Sequence, residues 1–188
     1  MYKKIVKIVS GIIITGIFLL FVLSFFNNRQ KVTDIAKYEK YLGAEGKYKE
    51  HFNTYNDIFP DAIPPNAEVS DFIYYYYNPW DPCYMGYLVY RCDEDVYTKE
   101  YERLKALSSS EDIYIYGATD FPYELCAVYA DEYYGYIYAL VDKENSQLFY
   151  VELRFCNGFT DIDYEKYIPK DHLPKGFSAK KEDSMRKN

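Results

Sequence analysis

The sequence predicts an α+β protein: a single N-terminal transmembrane helix followed by an antiparallel β-sheet domain with one packed helix. Three observations carry that expectation. Ile8 to Phe26 is a run of 19 residues without a charge. Tyr97, Tyr101, Leu104 and Leu107 recur at helical spacing. Phe149, Val151, Leu153 and Phe155 alternate with Tyr150, Glu152 and Arg154, the period of two of a strand with one core face.

The elements follow in order. At about 1.5 Å per residue the uncharged run reaches roughly 28 Å, close to a hydrocarbon core of about 30 Å. It ends Ser24-Phe25-Phe26-Asn27-Asn28, without the small-residue pattern of a cleaved signal peptide and without a nearby lipoprotein cysteine. Lys3, Lys4 and Lys7 precede it and Arg29 and Lys31 follow, so the positive-inside rule places the N-terminus in the cytoplasm and the C-terminal domain outside the cell membrane. Thr33 or Asp34 caps a helix to about Leu42, stopped by Gly43. Phe59-Pro60-Asp61-Ala62-Ile63-Pro64-Pro65 is an irregular loop, because three prolines fix φ and remove donors. Phe72–Tyr77 and Tyr84–Arg91 read as a hairpin around Asn78-Pro79-Trp80-Asp81-Pro82. Asp93 or Asp95 starts the packed helix, which runs to about Leu107. Ile113–Tyr116 reads as a short strand; Tyr123–Tyr129, Tyr136–Val141 and Leu148–Phe155 form a meander. The resulting divisions are a basic tail (1–7), the span (8–26), a helical stalk or hinge (27–50), the α+β domain (51–177) and a charged disordered tail (178–188).

Composition limits the function classes. Among 188 residues there are 25 Tyr and 12 Phe but one Trp. Tyrosine buries a large ring and carries a hydroxyl that needs a partner, so such a domain has either a core edged with hydrogen bonds or an aromatic surface. The net charge is −7, and three of the cations precede the span, leaving −10 beyond them. Such a domain is repelled by phosphates, which excludes nucleic acid as a partner.

Phe59-Pro60-Asp61-Ala62-Ile63-Pro64, Tyr101-Glu102-Arg103-Leu104 and Phe155-Cys156-Asn157-Gly158 give the stretch from Phe59 to Phe177 a resemblance to membrane-anchored, Tyr-rich surface proteins of clostridial, low-GC Gram-positive bacteria. The resemblance implies a Gram-positive cell surface. Those proteins have no known function, so it transfers no catalytic residue and no cofactor.

Chemistry is sparse. His51 and His172 lie in polar segments and read as surface residues. No phosphate loop, nucleophile elbow or paired-cysteine zinc spacing is present. Asp161, Asp163 and Glu165 are the best metal candidates, but Asp163 fits a helix N-cap better, and no metal or cofactor is expected. Two aromatic groups are candidate ligand platforms: Tyr75, Tyr77 and Trp80, and Tyr136, Tyr138 and Tyr150, the latter expected on one sheet face opposite Phe149, Val151 and Leu153. The competing reading is that the proline loop and the C-terminal segment cover that face. Of the four cysteines, Cys83 and Cys92 bracket an extended segment of about 30 Å, and Cys126 and Cys156 sit two strands apart. Neither pair is expected to bridge.

These observations favour a non-enzymatic extracytoplasmic binding or accessory domain, anchored at the cell surface, whose partner is a protein or cell-wall glycan. The alternative is an acidic immunity-type protein that neutralises a basic toxin by charge complementarity. A carboxylate glycosidase comes third. Exposed clustered tyrosines favour glycan, a contiguous acidic patch favours a basic protein, and two carboxyls about 5–10 Å apart in a cleft favour the glycosidase.

Overall fold

The hairpin and the meander dictated by the turn residues are both present, joined in one sheet. The computed structural model describes residues 11–21, 29–54, 56–78 and 80–184. The strands are β1 (Arg29–Val32), β2 (Glu68–Tyr77), β3 (Cys83–Arg91), β4 (Glu124–Asp131), β5 (Gly135–Asp142) and β6 (Gln147–Arg154). They pair antiparallel throughout, in the order β1-β2-β3-β6-β5-β4. The helices are α1 (residues 11–21), α2 (Tyr38–Leu42), α3 (Lys47–Phe52), α4 (Glu94–Ala106) and α5 (Lys181–Ser184). Helix α4 carries the chain from β3 to the far edge at β4, and the meander returns it to β6 beside β3.

The α+β class and the antiparallel sheet stand, but the membrane span does not. Helix α1 has 11 described residues, about 16 Å of rise against the roughly 30 Å of a hydrocarbon core. Among the described residues no helix is long and apolar enough to cross a membrane. This overturns the expected single-pass anchor, and with it the cell-membrane localisation and the topology drawn from it. Residues 8–10 and 22–26 of the expected span, and the basic tail 1–7, lie outside the described residues.

The expected stalk over 27–50 is part of the domain, though residues 27 and 28 lie outside the described ones. Residues 29–32 are the edge strand β1, with Arg29 paired to Tyr77 and its guanidinium 4.3 Å from that ring. Two cations on an edge strand discourage further strand pairing. Asp34 caps the next turn by accepting from the Ala36 N–H. Helices α2 and α3 then bury Tyr38, Tyr41, Leu42 and Tyr48 against the sheet.

Both sheet faces are covered. On one lie α2, α3, the proline loop through Ile58 and Phe59, and α4 through Tyr97 and Leu104. On the other lies the chain from Ile113 to Phe121 and the C-terminal segment, through Ile162, Tyr164, Ile168, Leu173 and Phe177. The sheet therefore has no solvent face for the period-two pattern to mark. Register pairs Tyr136 with Leu153 and Tyr138 with Val151, so these two tyrosines share the face of Phe149, while Tyr150 pairs with Ala139 and points the other way. The expected common tyrosine face does not exist.

Two local expectations fail for identifiable reasons. Tyr116 and Gly117 both adopt left-handed φ, 53° and 76°, and turn the chain there, so Ile113–Tyr116 is irregular. The tail is not free over 178–184. Ser178 N–H donates to the Tyr116 carbonyl at 2.7 Å, Thr160 N–H donates to that of Ala179 at 2.9 Å, and α5 follows. Residues 185–188 lie outside the described residues.

Gly135 opens β5 at φ 132°, where an added Cβ would lie 2.1 Å from the Leu153 carbonyl oxygen. Gly135→Ala therefore forces the β5–β6 ladder apart. Chemical denaturation should show a loss of at least about 2 kcal/mol; unchanged stability would mean the hairpin register is wrong.

A candidate binding cleft above a buried carboxylate

Glu152 lies mid-way along β6, flanked in sequence by Val151 and Leu153. Its cross-strand neighbours are Gly86 and Ile137. Gly86 has no side chain to fill the space beside it, and the Tyr84 ring lies there instead: a Cβ on Gly86 would meet the Tyr84 Oη at 2.5 Å. Tyr48 and Tyr74 pack on Tyr84 at centroid distances of 5.3 and 5.0 Å. The carboxyl is thus enclosed by rings and is 0 % exposed.

An ionised group in such a place needs donors. Tyr48 Oη, from α3, donates to Glu152 Oε1 at 2.7 Å. Asn56 Nδ2, from the loop after α3, donates to Oε2. The Asn56 Oδ1 meanwhile accepts from the N–H groups of Ile58 and Phe59, at 3.2 and 3.1 Å, which fixes the start of the proline loop. Arg154, on the same face two residues along, donates from Nη1 to Tyr48 Oη at 2.8 Å, and its guanidinium lies 4.4 Å from the Phe52 ring. Burial pushes the Glu152 carboxyl up to about 7, against the opposing pull of the Tyr48 and Asn56 hydrogen bonds and the Arg154 charge. The Tyr48 hydroxyl is raised by burial and by the neighbouring Glu152, so it remains a donor.

Above this carboxyl is a cleft of about 600 Å³. Tyr48, Thr54, Asn56 and Asp57 form one wall; Leu107 and Ser108, after α4, form the other; Tyr129, Ile137 and Arg154 form the floor. A second depression of about 140 Å³ adjoins it and shares Tyr129, Ile137 and Arg154, adding Tyr134, Gly135, Tyr136 and Leu153. Tyr129, Tyr133 and Tyr134 are each about half exposed, at 49 %, 55 % and 51 %. A concave site of mixed aromatic and polar lining, next to a carboxyl that titrates near neutrality, is where ligand binding is expected.

Of the six platform residues expected from sequence, Tyr136 and Tyr138 lie together, with rings 5.3 Å apart, and Tyr150 lies on the other sheet face. Tyr75 meets Tyr167 edge-on at 5.9 Å, and Tyr77 lies under Arg29. Trp80 is 81 % exposed in the β2–β3 turn. Tyr136, Tyr138 and Tyr150 are buried, so none offers a platform; their hydroxyls donate to the Ile113 carbonyl, the His172 carbonyl and Glu100 respectively. The proline loop covers Tyr150, with Phe59 at 5.5 Å, and the C-terminal segment covers the other two.

Nor are the histidines plain surface groups. His51 stacks on Tyr76 at 3.8 Å, and His172 Nδ1 shares a hydrogen bond with Tyr87 Oη at 2.5 Å while its ring meets Phe149 at 4.6 Å. Burial lowers the pKa of both. Glu165 pairs with Lys180, and Asp163 makes no side-chain cap; among the described residues no three metal-ligating side chains converge. Cys83 and Cys92 stand at opposite ends of β3, and β5 separates Cys126 from Cys156, so strand order keeps both considered pairs apart. Burial pushes the Cys92 and Cys126 thiols up to about 11, which keeps them protonated and unreactive at neutral pH.

Tyr48, Asn56, Tyr129, Tyr134, Glu152 and Arg154 were not among the sequence candidates. One signal was legible: Tyr133-Tyr134-Gly135 is a turn, and turn side chains face outward. Nothing marked Glu152, because its place in the alternation reads as solvent.

Comparison with protein-family models, with curated proteins and with solved structures found no match to this chain.

The Glu152 carboxyl has a testable signature. Its proton is held in the folded state up to pH about 7 but released from the unfolded chain above about 4.5. The folded state binds more protons between those values, so stability falls as pH rises through that window and levels off above it. The contribution of this group is roughly 3 kcal/mol. In urea denaturation, the stability difference between the wild type and Glu152→Gln should shift by that amount in favour of the variant from pH 4.5 to pH 8. A difference that stays constant would show that the carboxyl titrates normally.

Proposed function

We propose that this protein is a non-enzymatic binding domain that takes an oligosaccharide in the cleft beneath α4. The observation that carries this reading is the group of half-exposed tyrosines beside the joined depressions. Tyr129 and Tyr134 line the joined depressions, and Tyr133 stands beside them, 5.0 Å from Tyr134. A sugar presents a C–H face and a rim of hydroxyls. Flat amphipathic rings suit the first at low entropic cost. The side chains of Thr54, Asn56, Asp57, Ser108 and Arg154 supply donors and acceptors for the second.

The position of the buried acid supports binding rather than turnover by that acid. A general acid must reach the proton's acceptor within hydrogen-bond distance. Glu152 is sealed beneath the floor, with both oxygens engaged by Tyr48 and Asn56, and does not touch a ligand lying in the cleft.

Tyr129→Ala and Tyr134→Ala should each weaken oligosaccharide binding about three- to tenfold, the worth of one ring contact, with little change in melting temperature. Titration calorimetry against a panel of oligosaccharides measures this. Equal affinity in the variants and the wild type would remove the site from the cleft.

A further inference from the structure

Arg154 lies where the two depressions meet. In the smaller one it is the one charged side chain among the lining residues; the others are Tyr129, Tyr134, Tyr136, Ile137 and Leu153, besides Gly135. It gives one N–H to Tyr48 Oη, and among the described residues no carboxylate forms an ion pair with it. A guanidinium has five donors in a planar fork that matches a carboxylate. The one acid lining the larger depression, Asp57, forms no ion pair with Arg154. The chain as a whole carries −7, so this cation is a local exception in a molecule that otherwise repels anions.

The charge of Arg154 is balanced only at one remove. Arg154 donates to Tyr48, and Tyr48 donates to Glu152. The other groups around Glu152 are neutral: Asn56 from the loop, and the tyrosines Tyr84 from β3 and Tyr74 from β2, whose hydroxyls are buried without a hydrogen-bond partner. Charged neighbours on α3 are occupied elsewhere, Lys49 with Glu45 and Glu50 with Lys47. When Glu152 holds a proton, no carboxylate among the described residues is paired with Arg154, and the floor of the cleft is net positive. When Glu152 is ionised, the same floor is near neutral.

We propose that the cleft takes an acidic saccharide, its carboxylate held by Arg154, and that Glu152 beneath the floor takes up a proton when it binds. This rests on the reading of the cleft as a glycan site and narrows it to the uronic-acid class. The coupling is reciprocal. A bound carboxylate favours the neutral form of Glu152, and protonation of Glu152 strengthens the hold on the carboxylate. Glu152 is a positioning and tuning residue, since it does not touch the ligand. The uptake of its proton falls near neutral pH, where burial has moved the group.

The test is titration calorimetry of the full chain with matched trisaccharides, uronic acid trimers and the corresponding neutral hexose trimers, at pH 6, 7 and 8. At pH 6 the acidic trimer should bind at least tenfold more tightly, and its advantage should shrink toward pH 8. Arg154→Gln should remove the preference for the acid, weakening the acidic trimer more than the neutral one, and Arg154→Lys should restore part of it. Glu152→Gln should remove the pH dependence. Should that variant not fold, the wild type titrated at pH 7 in two buffers of different ionisation enthalpy reports proton uptake directly. Equal binding of acidic and neutral trimers overturns the inference and leaves the glycan site standing. Acid preference without pH dependence or proton uptake overturns the role of Glu152. Failure of every trimer to bind overturns both the inference and the glycan reading.

Discussion

A sheet buried on both faces has to pair every polar group its strands carry inward, and this chain supplies mostly tyrosines for the task. A tyrosine contributes the apolar area of a ring and then demands one hydrogen bond at its tip. The structure meets that demand by bringing loops to the hydroxyls. Tyr38 reaches the Pro60 carbonyl at 2.6 Å, Tyr116 reaches that of Asp131, Tyr136 that of Ile113 and Tyr138 that of His172. The bonds from Tyr38, Tyr136 and Tyr138 run from regular elements to chain outside the helices and strands, and that from Tyr116 ties an irregular segment to the end of β4. They explain why long stretches without helix or strand are held in place: the proline loop and the C-terminal segment accept the hydroxyls of the sheet and helices. Tyr74, Tyr84 and Tyr97 are exceptions, with buried hydroxyls that have no hydrogen-bond partner among the described residues.

The same constraint produces Glu152. A carboxylate in this interior survives only with donors on both oxygens, and Tyr48 and Asn56 bring them from two different segments. Asn56 in turn organises the backbone of Ile58 and Phe59, so α3, the proline loop and β6 are tied at one point. Breaking that point would leave a buried charge unpaired, which is costly. The wall of the cleft is therefore held by an acid that burial moves toward neutral pH.

Arg103 is a second tie of the same kind. Its guanidinium pairs with Glu100 on α4 and reaches the carbonyls of Asp57 and Ile58 at 2.6 and 2.8 Å. Glu100 also accepts from Tyr150 of β6 at 2.7 Å. Helix α4, the proline loop and the sheet thus meet through one ion pair, and the two walls of the cleft are set by charge-assisted bonds rather than by close packing alone. That leaves a hollow where a wholly apolar interface would have closed.

The sequence by itself determined the local elements. Turn residues and alternation gave β3 and the meander β4–β6 within about two residues and β2 from Phe72 onward, short of its start at Glu68, and helical spacing with Asp93 gave α4. These are legible because each depends on neighbours a few residues away. It did not determine sidedness. Ile137 and Ala139 look like a core face and Tyr136 and Tyr138 a wet one, yet the two tyrosines are buried while Ile137 is only partly so, because covering layers come from segments 20 to 100 residues distant, as in the bonds from Tyr136 to Ile113 and from Tyr48 to Glu152. Nor did it show that 29–32 is a strand, since β1 is a strand only by pairing with β2. The cleft follows the same rule. Its residues come from α3, the following loop, the end of α4, β4, β5 and β6, and only the tertiary structure decided that they meet, because no local pattern encodes which buried face a long-range contact will cover.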